Sequence, residues 1–308
     1  MVLFDSYGRP LLNLRVAITR RCNLRCSYCH GEGDDDDQEN MPEMTVDEIV
    51  RLVRTAVSLG VSRVKLTGGE PLSRKDISGI VEQIGVIPGL KDLSMTTNGT
   101  MLAHVAEELH AKGLKRVNIS LPTLNEEAYN KLTGGRVKTV LEGVKAAVAA
   151  GFCPVKLNML VLKGVNDEAV PEMIRYAGET GAILQLIELE PINVSDAYFA
   201  AHHKSLDEYE ETLIQKSVKV DARKYMQNRR MYHLPDVTVE VVHPVENTDF
   251  CRHCTRIRVT SEGRLKPCLM RNDNLVETLA LLRNGADEQE IEEMFRAANQ
   301  KRQPYNVN

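Results

Sequence analysis

Six of the seven cysteines fall into two groups of three: Cys22, Cys26 and Cys29 in RRCNLRCSYCHGEG, and Cys251, Cys254 and Cys268 in CRHCTRIRVTSEGRLKPC. Clustered thiols outside a small, even-numbered disulfide framework point to metal. In the first group, three thiolates on one short stretch can ligate three irons of a 4Fe-4S cluster and leave the fourth iron open to a substrate. Ferredoxin-type carriers instead fill every position with cysteine. A zinc site completed by His30 or a distant residue is the alternative, although zinc knots usually pair two ligands with two. The second group reads either as a zinc ribbon with His253 or His243 as fourth ligand or as another cluster with an open iron. The neighbouring TRIRV favours the cluster, because Arg256 and Arg258 alternate on a strand and point to one face beside the thiols. Paired guanidiniums there suit a phosphate chain. Cys153, alone beside an apolar run, reads as an inert small apolar residue.

Parallel-sheet patterning positions these groups. LRVAIT reads as a first strand, and TVDEIVRLVRTAVSLG as a helix with Thr45 as N-cap, Glu48 at the capping-box position and Gly60 as stop. VKLTGG, LSMTTNG, RVNISL, VKLNMLVL and ILQLIELE follow as strands with helical patterns between them. Six such units make an α/β barrel or most of one, although consecutive order alone does not separate a barrel from an open doubly wound sheet. In either case the site belongs at the C-terminal strand ends, where TGGEP, TTNGT, NISLPT and ELEP concentrate small and polar residues. After Pro191 a connecting segment enters a helix. Beyond residue 218 the chain reads as shorter strands and a hairpin turning at Glu262-Gly263, a smaller region expected to cover the mouth of the sheet. Asp34 to Asp37 reads as a solvated loop.

Composition narrows the function classes. A chain of 308 residues with 43% apolar content can bury a sizeable core. The net charge of −4 gives no overall basic field for a duplex, which leaves a small polyanion such as a nucleotide as the better match for local Lys and Arg clusters. No stretch approaches about 18 uninterrupted apolar residues, and the N-terminus lacks a signal-peptide pattern, so a cytoplasmic protein is expected.

The spacing of the first triplet, after a strand and with Tyr28 before its last cysteine, resembles the radical S-adenosylmethionine superfamily. That resemblance implies that the open iron chelates S-adenosylmethionine, whose one-electron cleavage gives methionine and a 5'-deoxyadenosyl radical, with no side chain needed as acid or base. LTGGEP, with Gly68, Gly69, Glu70 and Pro71, resembles the superfamily's glycine-rich motif beside the methionine moiety. Glycines let backbone approach a ligand, and a carboxylate can pair with an ammonium. Two three-cysteine groups, the second followed by RIR, resemble the GTP 3',8-cyclase family of molybdenum cofactor biosynthesis over nearly the whole chain.

This resemblance implies a partial (β/α)6 TIM-like barrel over residues 1–217 and a C-terminal substrate-cluster region over 218–308. Cys22, Cys26 and Cys29 would ligate the radical-generating 4Fe-4S cluster, with Tyr28, Gly69, Glu70 and Ser120 along the S-adenosylmethionine site. Cys251, Cys254 and Cys268 would ligate a second 4Fe-4S cluster that meets the guanine base. Arg15, Lys65, Thr96, Lys156, Arg256 and Arg258 would line the GTP site. Cations converging from separate strands are what a triphosphate requires electrostatically. The resemblance further implies an electron donor such as flavodoxin or ferredoxin and functional coupling to cyclic pyranopterin monophosphate synthase. Two features depart from it: the family's Gly-Gly tail has no counterpart in KRQPYNVN, and Glu190 stands where a methionine is common. The rival readings are a peptide-modifying maturase with an auxiliary cluster and a non-enzymatic iron-sulfur or zinc-binding module.

Overall fold

Apolar residues alternate with polar ones along the early strands, so each strand has one face for helices and one for a polar interior. The computed structural model, which describes residues 2–33 and 43–305, builds this pattern into one sheet. The Asp34–Asp37 run lies outside the described residues. The strands are β1 (Asn13–Ala17), β2 (Arg63–Thr67), β3 (Asp92–Thr97), β4 (Arg116–Ser120), β5 (Val155–Val161), β6 (Ile183–Glu188), β7 (Lys219–Arg223), β8 (Arg229–His233), β9 (Thr238–Val242), β10 (Arg256–Val259) and β11 (Leu265–Lys266). The helices are α1 (Val46–Ser58), α2 (Ile77–Gly85), α3 (Ala106–Ala111), α4 (Glu126–Thr133), α5 (Val137–Ala149), α6 (Val170–Thr180), α7 (Asp196–His202), α8 (Asp207–Lys216), α9 (Thr248–Arg252), α10 (Leu279–Arg283) and α11 (Glu288–Gln300).

The 11-stranded sheet has the order β11-β10-β1-β2-β3-β4-β5-β6-β9-β8-β7. Strands β10, β1 through β6, and β9 run parallel, while β11 at one edge and β8 near the other run against them, with β7 antiparallel to β8 at the outer edge. The six strand-helix units expected from the sequence form a curved, open partial barrel. The region after residue 218 extends that same sheet at both ends.

The outward faces pack on the helices. Leu14, Val16, Val64, Leu66, Val117 and Ile119 are each at most 1% exposed, and they share one core with Ile49, Leu52, Val53 and Ala56 of α1. Burying one such side chain contributes roughly 1.5–3 kcal/mol. α1 begins as its sequence dictates: Glu48 N donates to Thr45 Oγ1 at 3.2 Å and Thr45 N donates to Glu48 Oε2 at 2.7 Å. Gly60, with φ 101°, follows its C-cap. The β10–β11 hairpin turns through Gly263 at φ 76°, as its Glu-Gly pair predicts.

Cys153 is exposed and precedes β5. The C-terminal region joins both ends of the six-strand core, with β10 pairing with β1 and β9 with β6, and its Met226, Gln227, Phe250 and Leu269 line the interior.

Candidate active site

The first cysteine loop leaves the C-terminal end of β1 and is fastened on several sides. Arg25 N and Ser27 N donate to Thr133 O and Leu132 O at 2.9 and 3.0 Å. Asn98 Nδ2 lies 3.9 Å from Cys22 Sγ and donates to Asn23 Oδ1 at 2.8 Å. Tyr28 packs against Leu132, Leu162 and Leu189, a small apolar cluster separate from the main core. The glycine motif after β2 lies directly beneath this loop: Gly69 N donates to Thr19 O at 2.8 Å and Glu70 N to Arg21 O at 2.7 Å. A Cβ on Gly68 would overlap Thr19 O, and one on Gly69 would overlap Arg20 O and Arg21 O. The glycines are therefore required by contact between two backbone segments before any ligand is considered. Glu70 is fully buried, and its carboxylate accepts from Leu72 N, Thr97 Oγ1 and Asn98 N at 3.0, 2.7 and 2.6 Å. It braces the cavity wall rather than lining it. Gly69, Tyr28 and Ser120 do line it.

Strand register arranges the interior in rows. Arg258, Arg15, Lys65, Ser94 and Arg116 are successive neighbours across β10, β1, β2, β3 and β4, and Thr96, Asn118 and Lys156 form the next row on β3, β4 and β5. Like charges on adjacent strands repel and require counter-charges. Arg15 and Arg258 share Glu32, with Arg258 Nη1 donating at 2.6 Å and Thr67 Oγ1 donating to the same carboxylate at 2.7 Å. Burial opposes ionisation of Glu32, but the two guanidiniums outweigh it and hold the carboxyl well below its ordinary range. Lys65 Nζ donates to Asn118 Oδ1 at 2.7 Å; burial, then Arg15 and Arg116, push its pKa far down. Lys156 pairs with Glu240, and burial brings its pKa to about 8. Burial followed by Arg15 and Arg258 likewise depresses Arg256. Every cation named from the sequence faces one cavity of about 290 Å³, which also contains the three thiols of the first loop. Buried positive charge opposed by burial and by its own neighbours is a site built for a polyanion.

The second triplet comes from α9, from the residues just before β10 and from just after β11. It lines a cavity of about 60 Å³ with Pro244 and Glu190, and Arg256, Arg258 and Glu190 also face the larger cavity. The zinc alternatives find no support in the histidines. His253 Nδ1 lies 3.0 Å from Asp249 O, His243 sits between Glu188 and Glu210, and His30 Nδ1 accepts from Glu32 N at 2.9 Å.

The donor sets fit iron-sulfur clusters. None of the six cysteines is in a disulfide. Burial, then the charges of Cys29 and Cys22, push the Cys26 thiol up to about 12, so three thiolates there need a positive centre between them. Cys254 differs: burial disfavours its thiolate, but Arg302, Arg256 and Arg9 reverse the balance and lower its pKa. Arg302 is 1% exposed and reaches from the end of α11 to donate to Cys254 O.

Several site residues escape a reading of the sequence. Arg223, Arg229 and Glu240 come together only when β7, β8 and β9 pair. Glu32 stands between two glycines in a segment with no periodicity. Asn98 is signalled only by the TTNG motif. Gln303 and Tyr305 reach the second cavity, while residues 306–308 lie outside the described residues.

Just after β9, His243 is 3.5 Å from Glu188 and 3.2 Å from Glu210. Burial opposes its charge, but the two carboxylates prevail and raise its pKa from 6.5 to about 9. A raised folded-state value makes the stabilisation complete below pH 6.5 and lost as pH rises through 9. The apoprotein is expected to lose on the order of 2 kcal/mol over that interval, and His243→Gln to lose none of that increment. Urea unfolding at the two pH values checks this.

The comparisons with known proteins agree with this geometry. The Radical SAM superfamily model matches residues 16–177, and the Molybdenum Cofactor Synthesis C model matches 182–307. A protein of Pyrococcus horikoshii named "Probable GTP 3',8-cyclase" is 47% identical over 99% of this chain and 98% of its own length. Proteins of the same name from Thermococcus kodakarensis and Methanocaldococcus jannaschii are 46% and 41% identical, over 99% and 98% of both chains respectively. Among solved structures, Streptococcus suis SuiB bound to precursor peptide SuiA matches with a TM-score of 0.66 at 18% identity, covering 97% of this chain and 67% of that one. Native anSMEcpe with bound AdoMet matches at 0.64 and 17%, covering 96% and 84%. These two likenesses establish the fold alone. Among the described residues, no helix is long and apolar enough to cross a membrane. Carried by relatives matched over nearly its whole length and by two family models that cover most of residues 16–307, the chain belongs to the radical SAM superfamily and, within it, to the GTP 3',8-cyclase family.

Proposed function

We infer that the protein converts GTP to (8S)-3',8-cyclo-7,8-dihydroguanosine 5'-triphosphate, the first step of molybdenum cofactor biosynthesis. The observation that carries this is a pair of cavities, one holding each set of three thiols, that share Arg256 and Arg258, the larger of them lined by buried cations. A peptide-modifying enzyme has no use for such a charge. In this reading Cys22, Cys26 and Cys29 hold the cluster that binds S-adenosylmethionine, and Cys251, Cys254 and Cys268 hold the cluster that meets guanine. Bound S-adenosylmethionine and its cluster supply hydrogen-atom abstraction from the ribose C3'.

The chain's own residues hold both ends of the nucleotide at once, so that the carbon radical on the ribose and C8 of guanine stay within reach of each other. Arg15, Lys65, Thr96, Lys156, Arg256 and Arg258 grip the triphosphate. Tyr28, Gly69 and Ser120 line the cofactor's place, and Glu70 holds its wall. Residues 1–217 then serve as the radical-generating part and 218–308 as the substrate-cluster part. The enzyme works in the cytoplasm with a donor such as flavodoxin or ferredoxin, and its product passes on to cyclic pyranopterin monophosphate synthase.

Anaerobic incubation of the reconstituted protein with GTP, S-adenosylmethionine and reductant, followed by mass analysis, should give a cyclised nucleotide and 5'-deoxyadenosine. Turnover with a peptide that GTP leaves unchanged would overturn the reading. Arg256→Ala should weaken GTP binding about tenfold or more while the first cluster keeps its iron and its spectrum.

A further inference from the structure

We propose that Arg223 and Arg229, on the β7–β8 hairpin, bind the substrate's polyphosphate, and that Glu240 positions them; this deepens the GTP reading and rests on it. The first observation is register. Arg223 and Arg229 are direct cross-strand partners in an antiparallel pair, so their side chains leave the hairpin on the same face. Like charges placed directly opposite one another destabilise a hairpin, and here water relieves them only in part: their side chains are 25% and 10% exposed.

The second observation is the counter-charge. Glu240, 0% exposed on β9, accepts from Arg223 Nη1 at 3.0 and 3.2 Å and lies 3.7 Å from Arg229 Nη1. The same carboxylate also pairs with Lys156 of β5. One carboxylate thus serves three cations from three strands, and positive charge is left over.

The third observation is a donor held ready. Arg229 Nε is buried with no hydrogen-bond partner, as is Arg15 Nε across the same cavity. A buried guanidinium nitrogen left unpaired costs stability unless a ligand oxygen meets it. The hairpin does not swing freely. Thr255 Oγ1 donates to Tyr225 O at 2.8 Å, Gln227 N to His253 O at 3.2 Å, and Asn228 Nδ2 to Asp249 Oδ2 at 2.7 Å. These bonds pin the hairpin tip to the segment carrying Cys251 and Cys254, so the arginines are presented at a set distance from the second triplet. Arg229 also stacks over the Phe250 ring at 5.7 Å. A fixed, partly unsatisfied pair of guanidiniums matches a chain of phosphates, which offers several acceptor oxygens in a row.

The test uses the reconstituted holoenzyme, with GTP, guanosine and inorganic tripolyphosphate titrated calorimetrically under anaerobic conditions. Arg229→Gln and Arg223→Gln should each weaken GTP and tripolyphosphate about tenfold or more and leave guanosine binding unchanged. Because a buried charge beside Glu240 affects folding, Arg223→Lys and Arg229→Lys are measured as well; they keep the charge without the fork and should recover only part of the loss. Glu240→Gln should raise KM for GTP several-fold with kcat little changed, and Glu240→Asp should restore most of it. Folded variants that bind tripolyphosphate as tightly as a wild type that converts GTP would overturn the proposal and leave the cyclase reading standing. A wild type that binds tripolyphosphate but does not convert GTP would overturn the cyclase reading, and the arginine variants would still decide this one.

Discussion

Cys22→Ala is expected to abolish the cleavage of S-adenosylmethionine. The three thiols of the first loop face one cavity, and burial, reinforced by the neighbouring charges, keeps Cys26 and Cys22 from ionising without a cationic partner. Removing one leaves two thiolates for a cluster that needs three, and neither His30 nor Asn98 is placed to replace it: His30 Nδ1 is committed to Glu32 N at 2.9 Å and Asn98 Nδ2 to Asn23 at 2.8 Å. Formation of 5'-deoxyadenosine by the reconstituted variant should fall by about three orders of magnitude or more. Iron from the second triplet should persist, so iron content should drop by roughly half rather than vanish. Normal turnover by this variant would remove the basis for assigning the loop to the radical-generating cluster.

Gly68→Ala is expected to be strongly destabilising, and the damage precedes any chemistry. Gly68 sits at φ 136°, and a Cβ there would run into Thr19 O, a backbone atom that cannot rotate away. The two segments are also bonded to each other, through Gly69 N to Thr19 O and Ile18 N to Thr67 O at 2.8 and 2.9 Å. Relief would require pulling the cysteine loop off the sheet. A destabilisation of more than about 3 kcal/mol is expected, read as the shift in urea midpoint of the apoprotein. Gly79→Ala is the matched control. It lies inside α2 with nothing near its would-be Cβ, and should be stabilising by about 0.5–1 kcal/mol. Equal stabilities for the two variants would show that the glycine motif is not a packing constraint.

These two residues illustrate what a sequence makes legible. The cysteine spacing, the glycine motif and single cations such as Arg15 and Lys65 in otherwise apolar strands are local signals. Period-2 alternation forces those cations inward whatever the rest of the chain does. The order of six strand-helix units was legible for the same reason. The second half was not, because its placement depends on long-range pairing: β10 joins β1 across some 240 residues, and nothing in RIRV encodes that partner. The region expected at the mouth supplies strands to both ends of the sheet. Arg223, Arg229 and Glu240 were invisible on the same ground, since their meeting depends on the register of a hairpin against β9. Glu70 was legible as a polar residue at a strand end, but the three hydrogen bonds its carboxylate accepts were not. The glycines were correctly singled out, but the close approach they permit is to backbone.

The segment leading into Cys22 and the turn leading toward Cys268 are joined: Arg20 pairs with Glu262, and its Nε donates to Ser261 Oγ at 3.1 Å. Glu262 is 3% exposed, so the carboxylate end of the tie is buried. The two thiol sets are thus the jaws of a caliper whose opening is locked by the protein before anything enters. A molecule too short to span the jaws would meet one and miss the other, so length joins charge as a criterion of choice.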